Sequence, residues 1–199
     1  MSNTLLESVV KKNRARLIPF MLALYVLAFL DRSNIGFAKE TYQLDTGLSN
    51  EAYALGAGIF FVVYAFLGVP ANLLMRKFGA RKWIGCTTLL WGILSAAMAW
   101  ADTEAKFLLV RTLLGAAEAG FFPGMIYLTS QWFPQQNRAS IMGLFYMGAP
   151  LALTLGSPLS GALLEMHGFM GHPGWFWMFI IEGLLAVGAG FFTFFWLDD

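Results

Sequence analysis

The sequence predicts an all-α membrane protein whose six transmembrane helices form one bundle. Of its 199 residues, 58% are apolar and 13% are charged, whereas a soluble domain has about 45–50% apolar and about 25% charged residues. The apolar residues gather into six segments, each near the roughly 20 residues that a helix needs to cross a bilayer. Basic residues are abundant in every second connection between these segments. Because lipid offers no hydrogen bonds to the backbone, each segment is expected to be helical.

The predicted spans follow a polar amino-terminal segment. Residues 1–16 are polar and basic over too long a stretch for the start of a signal peptide, so we expect a cytoplasmic segment ahead of a bundle at 17–197. Prolines lie in or near several spans, where the missing N–H is expected to bend a helix; they are Pro70, Pro123, Pro150 and Pro158. The spans are expected at 17–38, 52–75, 83–101, 107–133, 139–164 and 175–197.

The distribution of lysine and arginine predicts how the bundle lies in the membrane. Threading six spans places nine basic residues on one side and two on the other, and the basic side is normally cytoplasmic. Both termini are therefore expected in the cytoplasm. The nine are Lys11, Lys12, Arg14, Arg16, Arg76, Lys77, Arg81, Lys82 and Arg138, and the two are Lys39 and Lys106.

Composition excludes several classes of function. A net charge of +1 provides no basic field for a nucleic-acid partner. Cys86 is the single cysteine, so disulfide frameworks and thiolate zinc sites are excluded, and we expect it to pack inside the bundle. His167 and His172 fall in a predicted loop, and the spans contain no histidine. Neither a metal site nor an organic cofactor is expected.

The main functional signal is a set of ionised side chains inside the predicted spans: Asp31, Arg32, Arg111, Glu118 and Glu182. A charge at the bilayer centre costs about 2.5–3.5 kcal/mol on insertion scales, so each should face a partner or a wet cavity. With a helix rise of about 1.5 Å per residue, Asp31 and Arg111 lie at similar depths below the outer face and could meet. Glu118 falls near the midplane.

Helical periodicity predicts which of these residues share a face. Residues seven apart lie on the same side of a helix, so Arg111 and Glu118 form one stripe, with Gly115 leaving room beside them. In the first span Tyr25 and Arg32 form a second stripe. Two polar faces could therefore line one cavity.

Two explanations of the buried charges stay open. Asp31 with Arg111, and Arg32 with Glu118, could be ion pairs that only fix helix packing. Because such pairs can be replaced by apolar packing at little cost, two acids and two arginines in two spans favour a substrate and proton path. Glu182 could instead bond within its own helix end.

Four runs of sequence resemble a known family. They are LDRSNIGFA in the first span, NLLMRKFGARK after the second, RTLLGAAEAGFFPGMIYLTSQWFP in the fourth and FIIEG in the sixth. These runs resemble the anion:cation symporter (phthalate permease-like) family of the major facilitator superfamily. The resemblance implies two six-helix bundles around a central cavity, of which this chain matches the first. It also implies symport of a small organic anion with a proton across a bacterial inner membrane, and the overall likeness indicates a sugar acid such as L-rhamnonate.

The resemblance assigns roles to individual residues. Arg32 matches an arginine that resembles a clamp for the substrate carboxylate, which suits its planar fork of donors. Glu118 matches a buried glutamate implicated in proton coupling, and Asp31 with Arg111 matches an ion pair that relays protonation. The proton-coupling set is thus Glu118, Asp31 and Arg111, and the substrate site is expected to comprise Arg32, Tyr25, Tyr64 and Asn34.

The connection between the second and third spans resembles the gate loop of the superfamily but departs from it. Asn72 stands where the pattern has a glycine, and Arg76 stands where it has an aspartate, while Lys77, Gly79 and Arg81 fit. The gate contact that the aspartate makes elsewhere is therefore not expected here in the same form.

Three classes of function are compatible with the sequence: half of a transporter, a pore, and a membrane scaffold or accessory subunit. A pore needs rings of like groups or a carbonyl filter, and no such loop is visible. The final residues TFFWLDD lie where the family's linker begins, which predicts a truncation at that boundary. We therefore expect the half-transporter to require a second six-helix half or another copy of itself, and we expect no enzymatic activity.

Overall fold

The computed structural model describes residues 3–198, and the side chains of residues 6–198, as helices joined by short connections. Six helical stretches are long and apolar enough to cross a membrane within that range, which confirms the predicted fold class. Short 3-10 turns occur at Met98–Trp100 and Phe169–Gly171. The α-helices are α1 (Asn3–Thr46), α2 (Asn50–Phe78), α3 (Ala80–Ala97), α4 (Glu104–Glu118), α5 (Phe121–Trp132), α6 (Gln135–Tyr146), α7 (Gly148–Leu164) and α8 (Gly174–Trp196).

The first helix is much longer than the span predicted at 17–38. It contains 44 residues, which corresponds to about 66 Å at about 1.5 Å per residue. A hydrocarbon core is about 30 Å thick, so α1 extends beyond it. Residues 3–16 of the predicted amino-terminal segment belong to this same helix.

The fourth and fifth spans are each built from two helices, and each interruption precedes a proline. Residues Ala119 and Gly120 separate α4 from α5, and α5 begins two residues before Pro123. Met147 separates α6 from α7, ahead of Pro150. In both cases the proline lacks the N–H that would bond the carbonyl four residues earlier. The break in the fourth span leaves Glu118 as the last residue of α4.

Small residues bring the helices into close contact. The most extensive helix pair is α3 with α8, where a Cβ on Gly92 would lie 2.6 Å from the backbone nitrogen of Val187. A Cβ on Gly183 would lie 2.5 Å from the nitrogen of Ala96. Such backbone contact is the usual way for helices to associate in lipid. The remaining large contacts join α2 to α4, and α1 to both α7 and α8.

The core consists of two apolar clusters with a polar layer between them. One cluster contains Leu17 and Trp91, and the other contains Tyr42 and Trp175 near the opposite end of the bundle. In the first, third, fourth and sixth spans, buried polar residues lie along the chain between members of the two clusters. Cys86, expected inside, is exposed on α3, because the packed face of that helix carries Gly85 and Gly92 instead.

Candidate functional site

The polar layer contains the ionised residues that the sequence analysis singled out. Asp31, Arg111, Glu118 and Glu182 are buried, and the Arg32 side chain retains 17% exposure. The layer is therefore closed except at the partly exposed side chain of Arg32. We call the face of the bundle beside Arg32, which also carries Tyr25, Tyr64 and Tyr146, the open surface.

Arg32 is paired with the fully buried Glu118. Its Nε donates to Glu118 Oε2 at 2.8 Å, which joins α1 to the end of α4. The guanidinium also lies over the Tyr64 ring, with its Cζ 4.7 Å from the ring centroid, and 5.9 Å from the centroid of Phe60. The arginine is thus held by one carboxylate and two aromatic faces, while its buried Nη2 has no acceptor among the described residues.

Asp31 lies beside Glu118 and is bonded from the third span. The Ser95 hydroxyl donates to Asp31 Oδ1, and the carboxyl groups of Asp31 and Glu118 are close enough to share a hydrogen bond. In the part of the chain that the structure describes, Asp31 Oδ2 and Glu118 Oε1 are buried and lack a donor. Two carboxylates cannot bond one another unless one of them carries a proton.

The direct pair predicted between Asp31 and Arg111 is not formed. Arg111 Nε instead donates to the carbonyl oxygen of Gly56 at 3.2 Å, and its Cζ lies 4.6 Å from the centroid of Phe60. Asp31 acts on Arg111 only as a nearby charge. The depth estimate counted the first span from Leu17, whereas α1 begins at Asn3 and continues to Thr46, so position along the chain did not fix the height at which Asp31 lies.

Tyr25 lies in the aromatic wall beside Arg32. Its ring stacks on Phe145 with centroids 4.4 Å apart, and its hydroxyl is within electrostatic range of Arg32, Tyr64 and Tyr146. Periodicity predicted its proximity to Arg32. The half-exposed Tyr146 extends the same wall on the fifth span, so a guanidinium and several phenol groups border one open surface.

Asn34 does not line this surface, contrary to the predicted substrate site. It is fully buried, and its Nδ2 donates to Glu182 Oε2 at 2.6 Å. Each residue turns a helix by about 100°, so a residue two positions beyond Arg32 points to nearly the opposite side. Glu182 bonds other helices and not its own end, because Ser160 Oγ on α7 also donates to it at 3.4 Å.

The gate loop is a single-residue connection. Gly79 alone separates α2 from α3, and its φ of 86° lies where glycine is favoured. Its N–H donates to the carbonyl of Met75 at 2.9 Å. Arg76 lies over the ring of Tyr127 at 5.8 Å, and Lys77 lies at the same distance from its neighbour Phe78.

The two other gate-loop residues lie on either side of this connection. Asn72, inside α2, has a buried Oδ1 without a donor in the described range, and Arg81, in the first turn of α3, interacts with other groups.

Sequence reasoning missed three residues of the site. Phe60 supports both arginines with its ring, Ser95 bonds Asp31, and Ser160 bonds Glu182. A hydroxyl group within an apolar span could have marked the two serines as candidate partners of the buried acids. Phe60 is one of 19 phenylalanines, and nothing in the sequence marks it.

The arrangement places a partly exposed arginine side chain beside two buried acids. An arginine can donate hydrogen bonds to a carboxylate, and a buried acid can take up a proton. No cluster of three or more His, Cys, Asp or Glu side chains that could hold a metal ion occurs among the described residues.

Comparison with known proteins identifies relatives over the whole chain. It is 92% identical over 199 residues to the inner membrane transport protein RhmT of Escherichia coli K12, and 49% identical to a putative tartrate transporter of Agrobacterium vitis; it covers 46% of each. It is 45% identical over 193 residues to a quinolone resistance transporter of Acinetobacter baumannii, with coverage of 97% of this chain and 44% of that protein. The chain thus spans less than half the length of these relatives.

The fold is similar to that of a bacterial homologue of the human lysosomal transporter Spinster in an inward-facing, occupied conformation. The TM-score is 0.87 at 20% identity, over 94% of this chain and 44% of that one. In addition, residues 21–199 match the Major Facilitator Superfamily. This chain therefore belongs to the major facilitator superfamily of membrane transporters and is not an enzyme.

Proposed function

We propose that the chain forms the amino-terminal half of a proton-coupled symporter for a small organic anion. The observation that carries this proposal is the contact between the Arg32–Glu118 pair and the Asp31 carboxyl. Glu118 and Asp31 each have a buried oxygen without a donor, and their carboxyl groups are within hydrogen-bonding reach of one another. A proton taken up there satisfies both acceptors.

Protonation and anion binding are coupled through Arg32. Glu118 accepts from Arg32 Nε at 2.8 Å, so it competes with any other carboxylate for that donor. When Glu118 takes up a proton, it loses the charge that holds the guanidinium, and Arg32 becomes available to an incoming carboxylate. Linkage requires the reverse as well, so that a bound anion favours protonation. Arg111 remains beneath Phe60 as a fixed positive charge in this scheme.

A sugar acid such as L-rhamnonate is the proposed substrate. The Agrobacterium vitis relatives are named as putative tartrate transporters, and tartrate is a hydroxylated carboxylate. The open surface offers a guanidinium for a carboxylate and the phenol groups of Tyr25 and Tyr64 for hydroxyls. A second six-helix half, or another copy of this chain, would supply the opposite wall of the cavity.

We further propose that the protein lies in the bacterial inner membrane with both termini in the cytoplasm. The nine basic residues of the predicted inner side lie in α1 ahead of its apolar stretch, around Gly79, and at the start of α6. Only two basic residues, Lys39 and Lys106, occur at the opposite ends of the spans. The positive-inside bias supports this orientation.

Replacing Glu118 with glutamine tests the proton-coupling role. In a full-length transporter that carries this chain, Glu118→Gln mimics the protonated acid and should retain exchange of labelled L-rhamnonate across proteoliposomes. It should lose accumulation driven by a pH gradient. Glu104→Gln, at the exposed start of α4, is the matched control and should accumulate substrate normally. Concentration of substrate by Glu118→Gln would contradict proton coupling through this residue and favour a purely structural pair.

Replacing Arg32 with lysine tests the anion clamp. Arg32→Lys keeps the charge but loses the planar fork, so we expect substrate affinity to fall by about tenfold or more. Arg16→Lys, at a half-exposed position of α1 outside the polar layer, is the control for an arginine outside the site. Affinity measured by calorimetry that equals wild type in Arg32→Lys would rule out the clamp.

A further inference from the structure

A third buried acid, Glu182, lies outside the proposed path of the proton and the anion. Its side chain projects from α8 and is 4% exposed. Asn34 on α1 donates to its Oε2 at 2.6 Å, and Ser160 on α7 donates to its Oε1 at 3.4 Å. The residue therefore joins three helices through one carboxyl group, and neither partner carries a charge.

No cation faces this carboxyl from the described helices. The ion pairs of that part of the chain involve other acids, and the charged neighbour of Glu182 is Asp31, which has the same sign. Helix α3 packs closely on α8 at Gly183, but it presents the backbone of Gly92 and Ala96 there. An ionised Glu182 would thus be a buried charge with two neutral donors and one repelling neighbour.

The charges of the polar layer do not balance if every group is ionised. The layer contains three acids, Asp31, Glu118 and Glu182, and two arginines, Arg32 and Arg111. Arginine stays protonated in proteins, so full ionisation leaves one excess negative charge in a low-dielectric interior. Such an uncompensated charge is strongly unfavourable, and the group normally neutralises instead. One proton on an acid restores neutrality. Glu118 is bonded to Arg32 and Asp31 lies within electrostatic range of Arg111, whereas no arginine acts on Glu182.

The neighbouring amide can bond either form of the carboxyl. Asn34 Oδ1 is buried and lacks a donor in the described residues. An amide offers both donors and an acceptor, and rotating it exchanges them. A protonated Glu182 can therefore donate to Asn34 or accept from it, whereas an ionised Glu182 can only accept.

We propose that Glu182 holds a resident proton throughout the transport cycle and acts as a positioning residue that, through Asn34, fixes the rotation of α1. Asn34 lies two residues after Arg32 and points to nearly the opposite side of the helix. Holding Asn34 against α8 therefore turns Arg32 away from α8, toward the buried Glu118 and the open surface. The positioning role rests on the proposed function, whereas the resident proton does not depend on transport.

Infrared spectroscopy of the full-length protein in lipid tests the resident proton directly. A protonated carboxylic acid has its own carbonyl-stretching band, separate from that of a carboxylate. Glu182→Gln should lose one such band at neutral pH, and in the unmodified protein this band should persist from mildly acidic to mildly alkaline conditions. Glu104→Gln, an exposed acid, should lose none. An unchanged acid band in Glu182→Gln would overturn the proposal.

Transport measurements test the positioning role. Glu182→Gln is neutral, keeps the hydrogen bonds and should retain accumulation driven by a pH gradient. Glu182→Ala leaves the Asn34 amide unsatisfied and should lower substrate affinity by about tenfold. If Glu182→Gln loses accumulation but keeps exchange, Glu182 releases its proton during the cycle and the resident assignment is wrong. If Glu118→Gln still concentrates substrate while the infrared band of Glu182 behaves as expected, only proton coupling through Glu118 is rejected. The resident proton on Glu182 then stands.

Discussion

Replacing Gly115 with alanine tests the close packing that supports both arginines. A Cβ at Gly115 would lie 2.5 Å from the carbonyl oxygen of Phe60 and 3.1 Å from its Cα. Ordinary van der Waals contact begins at 3.4 Å, so the carbonyl oxygen of Phe60 would have to move away by 0.9 Å. Because the obstacle is backbone rather than the flexible end of a side chain, α2 would have to move away from α4.

The expected loss of stability follows from the cost of overpacking. Forcing an extra carbon into a packed interior costs about 1–3 kcal/mol, and in a protein of this size each kcal/mol lowers Tm by about 2–4 °C. We therefore expect the clash to lower the Tm of Gly115→Ala by about 2–12 °C relative to a glycine-to-alanine variant that has no clash. The Phe60 ring lies 4.6 Å from the Arg111 Cζ, so the displacement should also reach the polar layer.

Gly58→Ala provides the matched control on the facing helix. A Cβ at Gly58 meets nothing within 4 Å, and the helix-propensity gain of about 1 kcal/mol is common to both variants. The difference between their melting temperatures therefore isolates the clash. Thermal unfolding of the full-length protein in detergent, followed by tryptophan fluorescence, measures it. If Gly115→Ala is as stable as Gly58→Ala, the helix contact is not as close as described.

Three further predictions concern the ends of the helices. Lys82→Cys, with Cys86→Ser, should resist labelling by an impermeant maleimide applied outside intact cells; labelling would reverse the proposed orientation. Trp175→Phe removes an indole bond of 2.7 Å to the Asp45 carboxylate, and it should lower Tm by about 3–6 °C; an unchanged Tm would show the bond to be dispensable. A hydrogen bond from Lys106 lowers the pKa of the exposed Asp102. The contribution of this ion pair to the stability of the fold is therefore lost as the pH falls through that lowered pKa. Asp102→Asn should shift Tm by less than about 1 °C, and a larger shift would contradict this assessment.

The six spans could be predicted from the sequence because apolar length is a local property. Segments rich in apolar residues are found as helices in all six predicted places. The ends of the helices were harder to predict from the sequence. Residues 39–46 are largely polar, so hydropathy ended the first span at residue 38, although α1 continues to Thr46. A helix that leaves the membrane no longer needs apolar residues, and a rule based on lipid cannot detect it.

The sequence by itself determined which residues form the polar layer, and the tertiary structure decided their partners. An ionisable side chain within an apolar run needs a partner, a proton or a wet cavity wherever the helices lie, so Asp31, Glu118 and Glu182 were identifiable at once. Their partners depend on the rotation and relative height of whole helices. Those are fixed by distant backbone contacts, such as Gly92 with α8, and by the break that ends α4 at Glu118. Asp31 consequently meets Ser95 rather than an arginine, because no local pattern records how neighbouring helices are turned toward one another.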